Sequence, residues 1–378
     1  MCPKAKISRL ENKTVPAPNA LYVHIPFCQS ICGYCDFCKL LINPKFVQAY
    51  LPALFDELDS YSIGKVDTIY LGGGTPTSLE DSDFEAVLAK LSPHLAPGGE
   101  FTVEANPESL SESKLVLMVK YGVNRLSIGM ESADPGLLKR MGRHHDFAKV
   151  QKVVALAKAQ GLTNLNVDLI YALPGETLEL LQKDLQALLS LKVDHISTYS
   201  LILEDDSLFK KQGVHEASED MQADSYELIL KTLRAAGYTR YEVSNFARHG
   251  AYSRHNLVYW HDERYYGIGL GASGYIGNKR YTNTRSLTLY EQGKRIANEE
   301  TVTPESDLSY YFLTHLRLEE GFSLDDFAAH FGFSFFSRYQ KTYDKLTLEG
   351  LIVSNGGRIK PTDHGIMVLD DILRELLA

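Results

Sequence analysis

The sequence is poor in cysteine, in positive charge and in long apolar runs, and each shortage removes a class of function. Five cysteines in 378 residues are an odd number. Four of them fall between Cys28 and Cys38, too close together to staple a large chain into a disulfide framework. Lys and Arg number 39 against 48 Asp and Glu, a formal net charge of -9, so no nucleic-acid partner is expected, because a backbone-binding surface needs concentrated positive charge. No run of 18 apolar residues occurs, and MCPKAKISRLENKTVPAPNA at the N-terminus lacks the uninterrupted apolar segment of a signal peptide. The expectation is a cytoplasmic protein, with room left for peripheral contact with a membrane surface.

What is present is a repeating strand and helix. Apolar, β-branched runs at 21–25, 66–72, 100–105, 124–130, 165–173 and 195–201 alternate with amphipathic stretches at 44–61, 81–95, 111–122, 146–161, 176–191 and 220–238. That is the pattern of parallel βα units. Six such units form either an open doubly wound sheet or an incomplete barrel, and in both the chemistry belongs at the carboxyl ends of the strands. Four regions are expected: a flexible polar lead-in over 1–20, the βα units over 21–241, a loop-rich segment capping them over 242–304, and a smaller, mostly helical unit over 305–378. In the last, helices followed by a hairpin turn at Asn355, Gly356 and Gly357 give the order of a winged helix. Its charge balance is acidic, so the DNA-binding use of that shape is not expected.

The cysteines follow the spacing Cys28, three residues, Cys32, two residues, Cys35, two residues, Cys38. A structural zinc site usually takes two close pairs separated by a long spacer, which this segment lacks. A redox C-x-x-C would leave two thiols idle. Thiolates two or three residues apart in a loop can instead wrap one iron-sulfur cube, and three of them leave one iron open to an external ligand.

Cys28, Cys32, Tyr34 and Cys35 match C-x-x-x-C-x-aromatic-C, and here the sequence resembles the radical S-adenosylmethionine (SAM) superfamily. The resemblance implies an α/β fold, a partial (β/α)6 TIM-like barrel with the winged-helix-like unit appended, and a [4Fe-4S] cluster on Cys28, Cys32 and Cys35. It also implies SAM chelated to the open iron and cleaved to a 5′-deoxyadenosyl radical. Cys38 reads either as a small buried or partly exposed thiol beside the cluster, or as a reserve ligand or a site touching the substrate; Cys2 is assigned nothing. LGGGTPTSL, 71–79, resembles the glycine motif that holds the methionine amino group, which makes Gly72, Gly73, Gly74 and Thr75 SAM candidates. It lacks the Lys and Ser or Thr of a phosphate-gripping loop. Glu104, Glu131 and Asp168, in or at the ends of strands, and Arg143, in MGRHHD, join them, with Tyr22 and Tyr34 at positions that line SAM sites in the superfamily's coproporphyrinogen branch.

YVHIPFC, GGGTPT, GVNRLSIG, NVDLIYALPGET, YEVSNFA and HNLVYW narrow the resemblance to that branch, which holds oxygen-independent coproporphyrinogen III dehydrogenase and the shorter HemW-like heme chaperones. The dehydrogenase has a longer N-terminal extension and a fourth cysteine two residues after the third. Here 27 residues precede Cys28, position 37 is Phe and Cys38 comes one residue late. These departures favour a chaperone that binds heme and delivers it to respiratory or other heme proteins; the alternative is oxidative decarboxylation to protoporphyrinogen IX. Glu131 stands where the dehydrogenases have Gln. In HNLVYW the resemblance implies His255 as an axial heme ligand with Tyr259 and Trp260 against the porphyrin face; the structural reading is a His-Asn pair holding an irregular loop.

Overall fold

The computed structural model describes residues 17–378. The lead-in and Cys2 lie outside the described residues up to position 16, and Ala20 already opens the first strand. Six strands, β1 (Ala20–Ile25), β2 (Val66–Gly73), β3 (Leu95–Ala105), β4 (Arg125–Glu131), β5 (Asn164–Tyr171) and β6 (His195–Ser200), lie side by side in chain order and pair in parallel. Because the order never reverses, every crossover falls on one side and the sheet curls as a partial barrel rather than a doubly wound layer.

The strands alternate in chemistry as well as direction. One face carries Val23, Ile69, Leu71, Val103, Leu126, Ile128, Val167 and Ile196, all buried in the main core against the crossover helices. The alternate positions are Thr68, Tyr70, Glu104, Arg125, Ser127, Asn166, Asp168, His195 and Ser197, whose side chains hydrogen-bond or cluster with one another inside the curl. The period of two therefore sorts apolar residues outward to the helices and polar ones inward. The helices are α1 (Pro44–Ser60), α2 (Asp81–Leu91), α3 (Glu112–Lys120), α4 (Pro135–Met141), α5 (Phe147–Ala159), α6 (Leu178–Ser190) and α7 (Glu219–Ala235). Asn43, Ser111, Asp134, Asp146, Thr177 and Ser218 cap six of them by accepting from first-turn N–H groups.

The expectation of a loop-rich cap over 242–304 needs correcting. This segment supplies one edge of the barrel sheet and the strand next to the other edge: β8 (Tyr266–Ile268) pairs parallel with β1, and β7 (Asn245–Ala247) pairs antiparallel with β6 and, on its far side, with Thr239–Arg240. Between them runs a helix, α8 (Arg254–Trp260), and after them comes a three-stranded antiparallel sheet over 273–301. The strands are three to six residues long and rich in Gly and Tyr, too short for periodicity to show.

Helices α9 (Pro304–His315), α10 (Leu324–Phe331), α11 (Phe335–Leu348) and α12 (Leu369–Leu377) surround a second, aromatic core of Phe312, Phe322, Phe327 and Phe335, flanked by the hairpin Ile352–Asn355 and Arg358–Pro361. The seam with the barrel is polar. Arg234 and Arg240 both pair with Asp363, at 2.6 and 3.0 Å, and Glu242 bridges to Leu318 through the backbone.

Candidate functional site at the barrel mouth

The cysteine loop leaves the end of β1 and is tied at its base, where Phe27–Cys28 pairs with Leu40–Leu41. Gly33 pins its middle: its N–H donates to the Met141 carbonyl (2.9 Å), its own carbonyl accepts from Phe209 N–H (2.8 Å), and an added Cβ would lie 2.3 Å from the Phe209 ring. His24 pins its far end, its Nε2 lying 2.7 Å from the Cys38 carbonyl while Tyr22 Oη lies 2.9 Å from Nδ1. Burial pushes the His24 imidazole down to about 4, so the neutral ring donates from Nε2 and accepts at Nδ1.

The glycine motif serves this packing. Gly73 has φ of +114° and a Cβ there would strike the His24 ring at 2.5 Å; one on Gly74 would meet the Cys28 sulfur at 3.0 Å and one on Gly72 the Glu104 carboxylate at 2.7 Å. Three glycines thus let β2 run flush against the cysteine loop on one side and a carboxylate on the other.

Cys28, Cys32 and Cys35 line one cavity of about 400 Å³, together with Tyr34, Gly73, Gly74, Thr75, Glu104, Glu131, Arg143 and Asp168. Two of the expected residues stand back: Gly72 makes room for Glu104, and Tyr22 acts through His24. Cys38 is buried in the main core and is not among the residues lining this cavity, with Gly271 packed against it.

Each carboxylate is held by donors. Glu104 accepts from Tyr70 Oη (2.7 Å) and Gly73 N–H (3.0 Å), yet burial pushes it up to about 7. Asp168 accepts from Asn166 Nδ2 (2.7 Å) and Ser127 Oγ (3.1 Å), and burial raises it too. Glu131 ends β4 in the left-handed region, φ 62°; for a non-glycine residue this strain is worth roughly 1 kcal/mol or more. The following turn is fixed by Asp184, which accepts from Ser132 Oγ (2.5 Å) and Ala133 N–H (2.9 Å). Burial pushes Glu131 up to about 7 against the pull of Arg143, 3.9 Å away. Arg143 also donates to the Gly129 carbonyl (2.5 Å) and Asn106 Oδ1 (2.9 Å).

The donor set fits an iron-sulfur cluster. Thr75 Oγ1 and Arg143 Nη1 approach the Cys28 and Cys32 sulfurs at 3.7 and 3.8 Å, placed to donate to thiolates. Burial pushes the Cys28 thiol up to about 11, so it needs a bound cation to ionise. Among the described residues no three His, Cys, Asp or Glu side chains converge on a point that would hold a single ion, whereas a cube spaces its thiolates more widely.

HNLVYW is placed differently from the expectation. It forms α8, capped by Ser253, and His255 is fully buried. Its Nδ1 meets Thr68 Oγ1 and its Nε2 meets Tyr259 Oη, both at 2.8 Å, and burial with the charge of Arg125 pushes it down to about 3. An axial ligand needs a free nitrogen, and His255 has none in this arrangement. Tyr259 is spent on that bond, and Trp260 lies 5.9 Å from the Arg317 guanidinium. The residue of the motif that reaches the cavity is Asn256. Sequence reasoning also missed Tyr70, Asn106, Arg125, Ser127 and Asn166; the polar every-second position along the strands was their signal.

Comparison with known proteins agrees with this geometry. The radical SAM superfamily description matches residues 22–188, and the HemN C-terminal domain matches 302–368. The protein named heme chaperone HemW in Lactococcus lactis is 40% identical over 370 residues, covering 95% of this chain and 97% of the relative. The chain belongs to the HemW family. HemW relatives from Bacillus subtilis and Escherichia coli are 36% and 32% identical, each across at least 94% of this chain and 98% of their own length. Coproporphyrinogen III oxidase (HemN) from Escherichia coli, described as a radical SAM enzyme, has a TM-score of 0.83 at 21% identity, covering 95% of this chain and 90% of its own, so the HemW family shares its fold. The superfamily implies SAM and a [4Fe-4S] cluster. No helix among the described residues is long and apolar enough to cross a membrane.

Proposed function

We propose that this protein is a heme chaperone, binding heme and passing it to apo forms of respiratory or other heme proteins in the cytoplasm or at a membrane surface. The observation that carries the reading is end-to-end similarity to proteins named as heme chaperones, at 40% identity in one case. In this reading Cys28, Cys32 and Cys35 would hold the cluster, which would supply one-electron chemistry toward SAM. Gly73, Glu104 and Asp168 orient the polar groups of SAM, with Tyr34, Glu131 and Arg143 closing the cavity around it. Burial keeps Glu104 and Glu131 proton-accepting near neutrality, and Phe37 and Ile202 at the rim limit water.

Coproporphyrinogen oxidation is the weaker reading. Cys38, the residue nearest in sequence to that enzyme's fourth cysteine, lies in the apolar core rather than beside the other thiols. The test is heme titration of anaerobically reconstituted protein, followed by transfer to an apo-cytochrome, with coproporphyrinogen III and SAM in a parallel tube. Stoichiometric heme uptake and transfer without carbon dioxide are expected; carbon dioxide and vinyl products without heme uptake would overturn the proposal.

A further inference from the structure

Arg125 and Arg143 both line the barrel cavity, and the fold treats them differently. Arg143 is engaged by Glu131, the Gly129 carbonyl and Asn106. Arg125 opens β4 at an inward position and is 1% exposed, yet its Nε has no partner, and among the described residues its guanidinium donates no hydrogen bond and forms no ion pair. A guanidinium keeps its charge at any pH a protein meets, and burying one unpaired is among the costliest arrangements a fold can retain. Arg125 is therefore a charge held ready in the cavity for a partner the chain does not supply.

The nearby acids are occupied. Glu104 accepts from Tyr70 and Gly73, and Asp168 from Asn166 and Ser127. Both stand nearer the strand ends than Arg125, opposite Ser127 and Gly129 in register. Burial raises both carboxyls, and the Arg125 charge pulls them back without contact. With Glu104 pushed up to about 7, that carboxylate can take a proton as another anion arrives.

A second polar group without a partner comes from α8. His255 ties the helix to Thr68 and sets Asn256 into the same cavity. Only the backbone N–H of Asn256 is used, donating to Ser253 Oγ at 3.4 Å; among the described residues its side-chain amide makes no hydrogen bond. The Arg125 charge reaches this helix too, adding to burial in lowering the His255 imidazole. A guanidinium fork and a carboxamide, both with N–H groups to give, match the two oxygens of a carboxylate.

We propose that Arg125 and Asn256 form a carboxylate subsite for a second ligand, bound deeper in the barrel than SAM. The inference stands on the charges of the cavity and does not require heme to be the cargo. A cavity of about 400 Å³ accepts a small organic acid whole, or one acidic arm of a larger ligand such as a porphyrin.

The test uses the anaerobically reconstituted full chain, with and without SAM, titrated with propionate and with propionamide, its uncharged counterpart, and followed by saturation-transfer NMR. Wild type should bind propionate saturably in both conditions, and propionamide at least about tenfold more weakly. Arg125→Gln should lose roughly tenfold or more in propionate affinity. Arg125→Lys keeps the charge and guards against a folding defect; it should lose about threefold yet still prefer propionate to propionamide. Asn256→Ala should also lose about threefold.

A parallel titration with ferric heme and its dimethyl ester separates the two sources of the carboxylate. If the cargo supplies it, the ester binds wild type more weakly than heme does, and Arg125→Gln no longer distinguishes them; if a free acid supplies it, both bind alike in both proteins. Absence of saturable propionate binding, binding that survives Arg125→Gln undiminished, or displacement of propionate by SAM would overturn the subsite and leave the chaperone reading standing. Wild type that takes up propionate but no heme would support the subsite and sink the chaperone reading.

Discussion

The cavity at the barrel mouth and a second one, of about 570 Å³ where the end of α8 meets the C-terminal unit, are built on opposite plans. At the barrel mouth, parallel strands bring their ends together, and four of the six contribute: Gly73 ends β2, while Glu104, Glu131 and Asp168 stand at the inward positions that alternation fixes in β3, β4 and β5. The second cavity has no such frame; His261, His315, His330 and Arg358 in its lining come from the end of α8, the end of α9, α10 and the hairpin. A site at strand ends inherits its geometry from the sheet, whereas a site in a seam depends on how two cores dock.

That contrast can be broken most sharply at the mouth. Cys32→Ser should abolish the cluster, measured as loss of iron and sulfide after anaerobic reconstitution, while denaturant unfolding of the protein without cluster stays within about 1 kcal/mol of wild type. A large joint loss would show that the mouth and the seam share one frame.

His255→Ala comes next. It leaves Thr68 Oγ1 and the Tyr259 hydroxyl without partners and opens a void inside the curl, which should cost roughly 3–5 kcal/mol in denaturant unfolding. A destabilisation under about 1 kcal/mol would show that α8 is not anchored in the barrel as the contacts indicate.

Glu242, fully buried at the seam, sharpens the comparison through pH. Burial pushes its carboxyl from an ordinary 4.5 up to about 7. Between those values the native state keeps a proton the unfolded chain has lost, so this group's contribution to stability falls as pH rises through the window and is level above it. Glu242→Gln, always neutral, should gain on wild type by on the order of 2–3 kcal/mol between about pH 5 and 8; thermal melts at both pH values check it, and parallel curves would refute it. The smallest effect belongs to Phe37→Ser: at 65% exposure on the rim, it should change unfolding stability by less than about 0.5 kcal/mol.

The sequence made the mouth legible for a physical reason. Strands buried on one face show their period, cysteines two and three residues apart announce a loop around something larger than one ion, and three consecutive glycines mark a place where side chains have no room. Strands β7 and β8 were hidden because three residues carry no period. At His255 the sequence left a heme role and a structural one open, because residue type says nothing about which tertiary contact occupies a nitrogen: Thr68, 187 positions earlier, meets Nδ1. The seam cavity left no trace at all, since His261, His315 and His330 share no spacing that a helix or strand would explain.

Helix α8 is seven residues long, roughly 10 Å from end to end, and it belongs to both chambers. Asn256 lines the chamber at the mouth, His255 is bolted to Thr68 and Glu100 of the barrel wall, and His261 closes the helix inside the other chamber. A hydrogen-bonded helix of two turns does not compress. Bolted to the wall in its first turn, the helix instead carries the barrel's geometry outward to His261 as a fixed post between the two chambers.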